Sequence, residues 1–415
     1  MRIAIIGTGI SGLTCAHLLG SRHDVTVFER DDRPGGHTNT VRVEFGDEVH
    51  DVDTGFIVYN EPNYPGLVRL FERLGVPTQP SDMSFSVADE TTGIEWQASS
   101  PNTIFAQRRN VLRPEFLRML ADIIGFNRSV RRLLRAGVPE TMTLEDLLAA
   151  GGWSRHLGEW YLAPMVSAIW SAPPTQALEI SAHAFARFFE NHGLLQLGAQ
   201  PQWRTVEGGA RTYVERILRP LAGRVRLGTP VTKVTRRSEG IEVLSDRYGP
   251  EAFDHVILAC HSDQSLGLLG DPTMAEREVL GAIRYQPNSA VLHTDDRLLP
   301  RTRRARASWN YRLPTTRQRG ASVTYHLNRL QSIDSRHDIC VTLNEVEAVD
   351  PARIVADFDY AHPVLDAPAI AAQKRYDDVS GHRSTWYCGA YWGYGFHEDG
   401  VQSALRVCRA LGVAL

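Results

Sequence analysis

The chain has 415 residues, 43% of them hydrophobic and 22% charged, enough to bury more than one core and incompatible with wholesale disorder. Lys and Arg total 45 against 48 Asp and Glu, a formal charge of -3, so no overall basic field draws the protein to nucleic acid. Only Lys233 and Lys374 are lysines, so the tunable amine that enzymes often use is almost missing.

The first 40 residues predict one βαβ unit: a strand over 2–6, the turn Gly7-Thr8-Gly9-Ile10-Ser11-Gly12, a helix over about 11–20, and a strand over 24–29 that ends at Glu29. The glycines have separate tasks. Gly7 makes the tight turn, Gly9 lets backbone approach a pyrophosphate, and Gly12 lets the helix pack closely on the strand, while Glu29 is spaced to accept hydrogen bonds from a ribose. Dinucleotide binding follows, and its alternative is an ordinary glycine turn. No charged leader precedes this strand and no apolar run reaches the roughly 20 residues of a membrane span, so a cytoplasmic location is expected. Cys15, Cys260, Cys340, Cys388 and Cys408 are scattered, with no C-x-x-C pair, which argues against a disulfide framework or a zinc site.

Residues 62–195 read as helical. Asn60-Glu61-Pro62-Asn63 is turn chemistry. Between Ile104 and Gly137 lie eight arginines, Arg108 through Arg135, and only two acids, interleaved with apolar residues. Such a segment fits either a solvated helix face or peripheral contact with an anionic membrane. Met165, Ile169, Trp170, Phe185, Phe188, Phe189, Leu194 and Leu195 fit core packing, with an apolar substrate tunnel as the alternative. Strands are expected at 225–227, 231–234 and 253–259, all returning to the first sheet, and a strand-rich stretch at 285–360. Arg301, Arg303, Arg304 and Arg306 form a second basic patch. The chain then gives a strand at 385–390, a loop with six aromatics between Trp386 and Phe396, and a helix opening at Asp399-Gly400, read as a second anion cradle. Within that loop Trp392 and Tyr394 are candidates for an aromatic wall at the site, and His397 for its acid/base. No metal ligand set is predicted.

Continuing from the fingerprint, Glu29-Arg30-Asp31-Asp32-Arg33-Pro34-Gly35-Gly36-His37-Thr38 resembles the flavin-containing amine oxidoreductase superfamily, in the order of its motifs over most of the chain. The resemblance implies an α/β fold: a discontinuous Rossmann-like FAD-binding domain (1–60, 203–268 and 381–415) with an inserted α+β substrate domain (61–202 and 269–380). It also implies FAD as cofactor. Ser11 and the Gly7–Gly12 turn would hold the pyrophosphate, Glu29 and Arg30 lie at the ribose end, and backbone around Val231 meets the adenine. Gly36-His37-Thr38, Thr54-Gly55-Phe56, Gly389 and Gly400-Val401 would approach the ribityl chain and the isoalloxazine. His37 stands where the family has Arg, and Cys388-Gly389-Ala390 lacks the family's usual acid, for which Glu398 or Asp399 is a candidate substitute.

Val52–Asn60, Ser81–Phe85 and Gly393–Gly400 are similar to a bacterial subgroup often encoded beside cyclopropane-fatty-acid-synthase-like methyltransferases. The strand Ile283–His293 lacks the Lys that many amine oxidases place by flavin N5. The expectation is an FAD-dependent oxidoreductase that dehydrogenates or desaturates an apolar, lipid-acyl substrate by hydride transfer to N5. Amine oxidation, a non-redox isomerase, and a flavin-carrying partner of a lipid methyltransferase are the alternatives. A small-molecule or lipid substrate is the expected partner, with no nucleic acid.

Overall fold

The computed structural model describes residues 1–139, 141–170, 177–196, 200–313 and 322–415. Its first sheet has five parallel strands. Arg2–Ile6 is central, with Asp24–Phe28 and Val225–Arg226 on one side and His255–Leu258 and Thr385–Tyr387 on the other. The alternation of the pleat divides the central strand between two cores. Ile3 and Ile5 face a cluster with the helices Ile10–Leu19, Arg211–Leu218 and His397–Ala410, whereas Ala4 and Ile6 face Val256, Leu280 and Tyr387. A strand buried on both faces must be apolar throughout, which is why this sheet was legible.

The second large sheet has seven strands in the order Ile354–Pro363, Tyr285–His293, Cys340–Leu343, Ser322–His326, Trp309–Leu313, Phe85–Asp89 and Ile94–Gln97. Its first five strands fall in the expected strand-rich stretch. The hairpin Phe85–Gln97 lies in the segment read as helical, and joins the sheet through a parallel pairing with Trp309–Leu313. The helices Pro114–Ala136 and Ala182–Asn191 cover this end of the sheet, burying Phe116, Phe126, Phe185 and Phe189 against Val87, Trp96 and Tyr311.

Two assignments change. Val231–Arg237 does not return to the first sheet; it pairs with Gly240–Ser245, and that strand with Gly249–Phe253, in a separate antiparallel sheet. Short hairpin connections, one turning at Gly240 with φ +135°, dictate antiparallel neighbours. The helix Pro65–Leu74, placed by sequence in the substrate domain, buries Leu67, Leu70 and Phe71 in the first sheet's core. No described helix is long and apolar enough to cross a membrane.

Candidate cofactor and substrate site

A cavity of about 1070 Å³ lies between the two large sheets. Its inner limb begins at the first βαβ unit. Gly7 has φ +106°, and a Cβ there would stand 2.8 Å from the Ala259 carbonyl oxygen; at Gly12 it would stand 2.0 Å from the Gly7 oxygen. These two glycines bring strand and helix together. A Cβ on Gly9 would meet nothing within 4 Å, so Gly9 borders open space. The helix Ile10–Leu19 has no acid in its first turn and no side-chain cap at Gly9, leaving its first N–H groups to an anion. Glu29 accepts from the Thr8 backbone N–H (2.9 Å), from the Thr8 hydroxyl, and from the Asp31 N–H (3.0 Å), which fixes its carboxylate on the cavity wall.

The lining contains Gly7, Gly9, Ser11, Glu29, Arg30, Gly36, His37, Gly55, Phe56, Val231, Gly389, Tyr394 and His397. Arg33, absent from the expected set, also lines it and donates to the Gly36 carbonyl (2.9 Å). An open glycine, a free helix N-terminus and an anchored carboxylate in one continuous trough fit the pyrophosphate and ribose of FAD.

Several expected residues serve elsewhere. Thr38 is buried and hydrogen-bonds the Tyr213 hydroxyl and His397 Nε2 (3.0 Å), behind the cavity wall. Gly400 and Val401 pack the C-terminal helix onto the first: a Cβ on Gly400 would stand 2.7 Å from Ile10 Cγ2, and Val401 is fully buried. Asp399 accepts from the Phe396 N–H (2.9 Å), capping its own helix, so that N-terminus is no second anion cradle. Burial raises its carboxyl to about 7. Glu398 is also occupied, accepting from the Gly66 and Leu67 N–H groups (both 2.9 Å) at the start of the helix Pro65–Leu74. Trp392 turns away from the cavity and packs edge-on against Tyr376; Tyr391 and Phe396 line the cavity from the same loop.

His397 stacks on Phe56 with ring centroids 3.7 Å apart, and its Nε2 is bonded by Thr38 and by the Tyr213 hydroxyl (3.3 Å). Desolvation lowers it to about 3. An imidazole so placed is neutral at neutral pH, keeping one N–H and acting as a weak base, and its stack on Phe56 also makes it part of the cavity wall.

Sequence reasoning named His37 but not the aromatic and histidine group around it. His37 stacks on Tyr360 at 5.0 Å and meets His362 edge-on at 5.1 Å; His261 stacks on Tyr285 at 4.2 Å, and all line the cavity. His37 Nε2 is buried with no hydrogen-bond partner. Burial, then the neighbouring His362, holds His37 well below its ordinary value, and burial lowers His362 to about 4. Asn288 donates through Nδ2 to Asn344 Oδ1 (3.1 Å), which leaves its own Oδ1 to accept from His362 Nδ1–H (2.7 Å). On this assignment Nε2 of His362 carries the lone pair. Residues 261, 285, 360 and 362 are remote from the fingerprint, and no local pattern marks them. Among the described residues no cluster suits a metal.

The outer limb is mainly apolar, with His192 stacked on Phe188 as a polar member of its wall. Met165, Ile169, Trp170, Phe188, Leu194 and Trp309 wall it, and Phe396 joins it to the inner limb. The sequence allowed both core and tunnel for this group, and the structure divides it: Phe185, Phe189 and Leu195 are core. No lysine lines the cavity among the described residues.

A flavin-type dinucleotide trough opening into an apolar chamber defines a flavoprotein oxidoreductase architecture. The pattern of the flavin containing amine oxidoreductases matches residues 10–412, and the chain belongs to that family. FAD is its cofactor. A flavin-containing monoamine oxidase of Mycobacterium tuberculosis is 27% identical over 66% of this chain and 59% of its own length. The bovine flavin-containing amine oxidase A is 28% identical over 58% of the chain and 46% of its own. The chain thus spans about half the length of these curated relatives. A fatty acid isomerase from P. acnes has the same fold, with a TM-score of 0.71 over 98% of both chains at 16% identity.

Proposed function

We propose that the protein is an FAD-dependent oxidoreductase acting on an apolar, uncharged chain of the kind lipids carry. The observation that carries this is the outer limb, a chamber walled mainly by aliphatic and aromatic side chains, with His192 as its stacked imidazole, and without a lysine or a buried carboxylate among its described walls. The acids of the lining are Glu29, Asp31 and Asp263 beside the cofactor trough and the exposed Asp359. An ammonium group entering the outer limb would lose its hydration without gaining a counter-charge, whereas an acyl chain gains roughly 0.8 kcal/mol for each CH₂ it buries.

Bound FAD supplies two-electron oxidation of a substrate carbon. The protein's residues exclude water and set the approach. Phe396 and the Phe56–His397 stack stand where the two limbs meet, and Tyr394 and Tyr391 also line the cavity. His362, neutral with its lone pair on Nε2, offers the cavity a hydrogen-bond acceptor beside His37. A second reading, isomerisation without net oxidation, is favoured by the low basicity of His37, His362 and His397, neutral rings that take up a second proton poorly at neutral pH and so are weak bases for a net dehydrogenation.

Anaerobic mixing of the yellow holoprotein with fatty acids or phospholipids, and separately with monoamines and polyamines, is the test. Bleaching of the flavin by lipid with the amines inert is the expected result. Bleaching by an amine alone would establish amine oxidation instead. A lipid isomer formed without net bleaching would establish the second reading. If nothing bleaches the flavin and the protein co-purifies with a lipid methyltransferase, the non-catalytic partner reading replaces both.

A further inference from the structure

Nine large apolar side chains are strongly exposed among the described residues, and four fall within fourteen positions: Val111, Leu112, Leu117 and Ile124. Leu112 is 84% exposed. Leu117 and Ile124 lie on the helix Pro114–Ala136, and helical geometry puts Ala121, Arg128, Arg132 and Arg135 in the same arc of about 80°. The opposite face carries the buried Phe116, Met119, Phe126 and Val130. This helix is therefore apolar on two sides at its N-terminal half, and its outer stripe turns basic toward the C-terminus.

The second basic patch meets the first in space. The turn Arg303–Ala305 packs against the helix Pro101–Ile104 and the strand Ile94–Gln97, and Arg108 reaches the same helix through Asn102 (3.2 Å to its carbonyl), so the two basic stretches, about 200 positions apart in sequence, meet on one short helix. Glu95, on that strand, is already engaged, accepting from the Arg301 and Thr302 N–H groups (2.9 and 2.8 Å), and of the second patch only Arg306 is ion-paired, with Asp296 and Asp338, among the described residues. Of the eight arginines between 108 and 135, only Arg118 and Arg131 enter ion pairs among the described residues. Arg108, Arg109 and Arg113 instead donate to backbone carbonyls, which holds their charges at the surface without cancelling them.

We propose that this surface docks on an anionic lipid bilayer, with Val111, Leu112, Leu117 and Ile124 entering the headgroup region and the arginines meeting lipid phosphates and carboxylates. Charge decides the occupant. A second copy of the chain laid on the same patch would face arginine with arginine, whereas an anionic bilayer complements every one of them. Ala98 and Ser99, between the strand Ile94–Gln97 and the helix Pro101–Ile104, line the cavity, so the docking surface and the chamber share one stretch of chain. The inference stands on the surface alone and does not require the proposed reaction.

The test is flotation of the holoprotein with phosphatidylcholine vesicles that contain roughly one third phosphatidylserine, against vesicles of phosphatidylcholine alone. Binding to the anionic vesicles is expected at about 0.05 M salt, with loss at about 0.5 M. Arg128→Glu/Arg132→Glu/Arg135→Glu should weaken it by more than about fivefold per residue, and Leu112→Asp/Leu117→Asp/Ile124→Asp should abolish it, with flavin absorbance and thermal midpoint showing that both variants fold. No binding at low salt, or equal binding by the folded variants, would overturn the proposal. So would light scattering that finds a dimer dispersed by the aspartate variant, since the patch would then belong to a second copy.

Discussion

Gly9 separates two roles that glycine fingerprints usually confound. Gly7 and Gly12 are closed in by backbone, so added carbon there disrupts the fold, whereas a methyl on Gly9 enters only the cofactor trough. Gly9 has φ -62°, which alanine adopts freely. Gly9→Ala is therefore expected to keep the stability of the apoprotein within about 0.5 kcal/mol and to weaken FAD binding by at least about tenfold, or about 1.4 kcal/mol. Urea unfolding of the apoprotein and FAD titration check the two halves separately; unchanged FAD affinity would remove the pyrophosphate from Gly9. Residue-level features readable in the sequence were those of one local unit, Gly7 to Glu29, because backbone conformation and spacing alone impose them. His261, Tyr285, Tyr360 and His362 reach the cavity from strands and a turn set by the distant fold, and no window of sequence contains that juxtaposition.

Among the elements, the start of the C-terminal helix shows how a motif can mislead. Asp399-Gly400 opening a helix reads as an anion cradle, yet its acids serve neighbouring helix ends. Glu398→Ala removes both acceptors for Gly66 and Leu67 and should cost about 1–2 kcal/mol of stability, leaving the flavin spectrum unchanged. A changed spectrum in a folded variant would return Glu398 to the cofactor. Asp399 adds a pH dependence of definite sign. Its folded value of about 7 lies above the ordinary 3.8, so the folded state holds the proton, and this stabilisation is lost as pH rises through 7. Asp399→Asn lacks that loss, and its stability relative to the wild type should improve by on the order of 4 kcal/mol from pH 4 to pH 8, read from urea midpoints. His397 acts oppositely: lowered to about 3 from 6.5, it contributes stability that is lost as pH falls from 6.5 toward 3. The strand Val231–Arg237 was visible as a strand, but its sheet was not, because apolar content marks extended chain and hairpin connections choose the partner.

The whole molecule is organised around a cavity that neither large sheet encloses alone. Gly9, Glu29 and Ala259 close it from the parallel sheet, and Tyr285, Trp309 and Tyr360 from the seven-stranded one. Phe396 packs into both cores, and Asn39 and Thr54 hydrogen-bond the Tyr360 hydroxyl at 3.1 and 2.9 Å, tying the segment after the fingerprint to the edge strand of the second sheet. Contacts of this kind make unfolding of one half expose the other. A ligand in the cavity should therefore stabilise the chain as a unit rather than one domain. With free FAD at about 100 times its dissociation constant, binding adds about 2.7 kcal/mol, which for a chain of this size raises the melting temperature by on the order of 5 °C. Calorimetry of apo and reconstituted protein should show one transition that moves as a whole, with Gly9→Ala gaining about half of that shift or less at the same FAD concentration. Two transitions, of which only one responded to FAD, would mean that the sheets fold independently and that the cavity is an interface rather than a shared core.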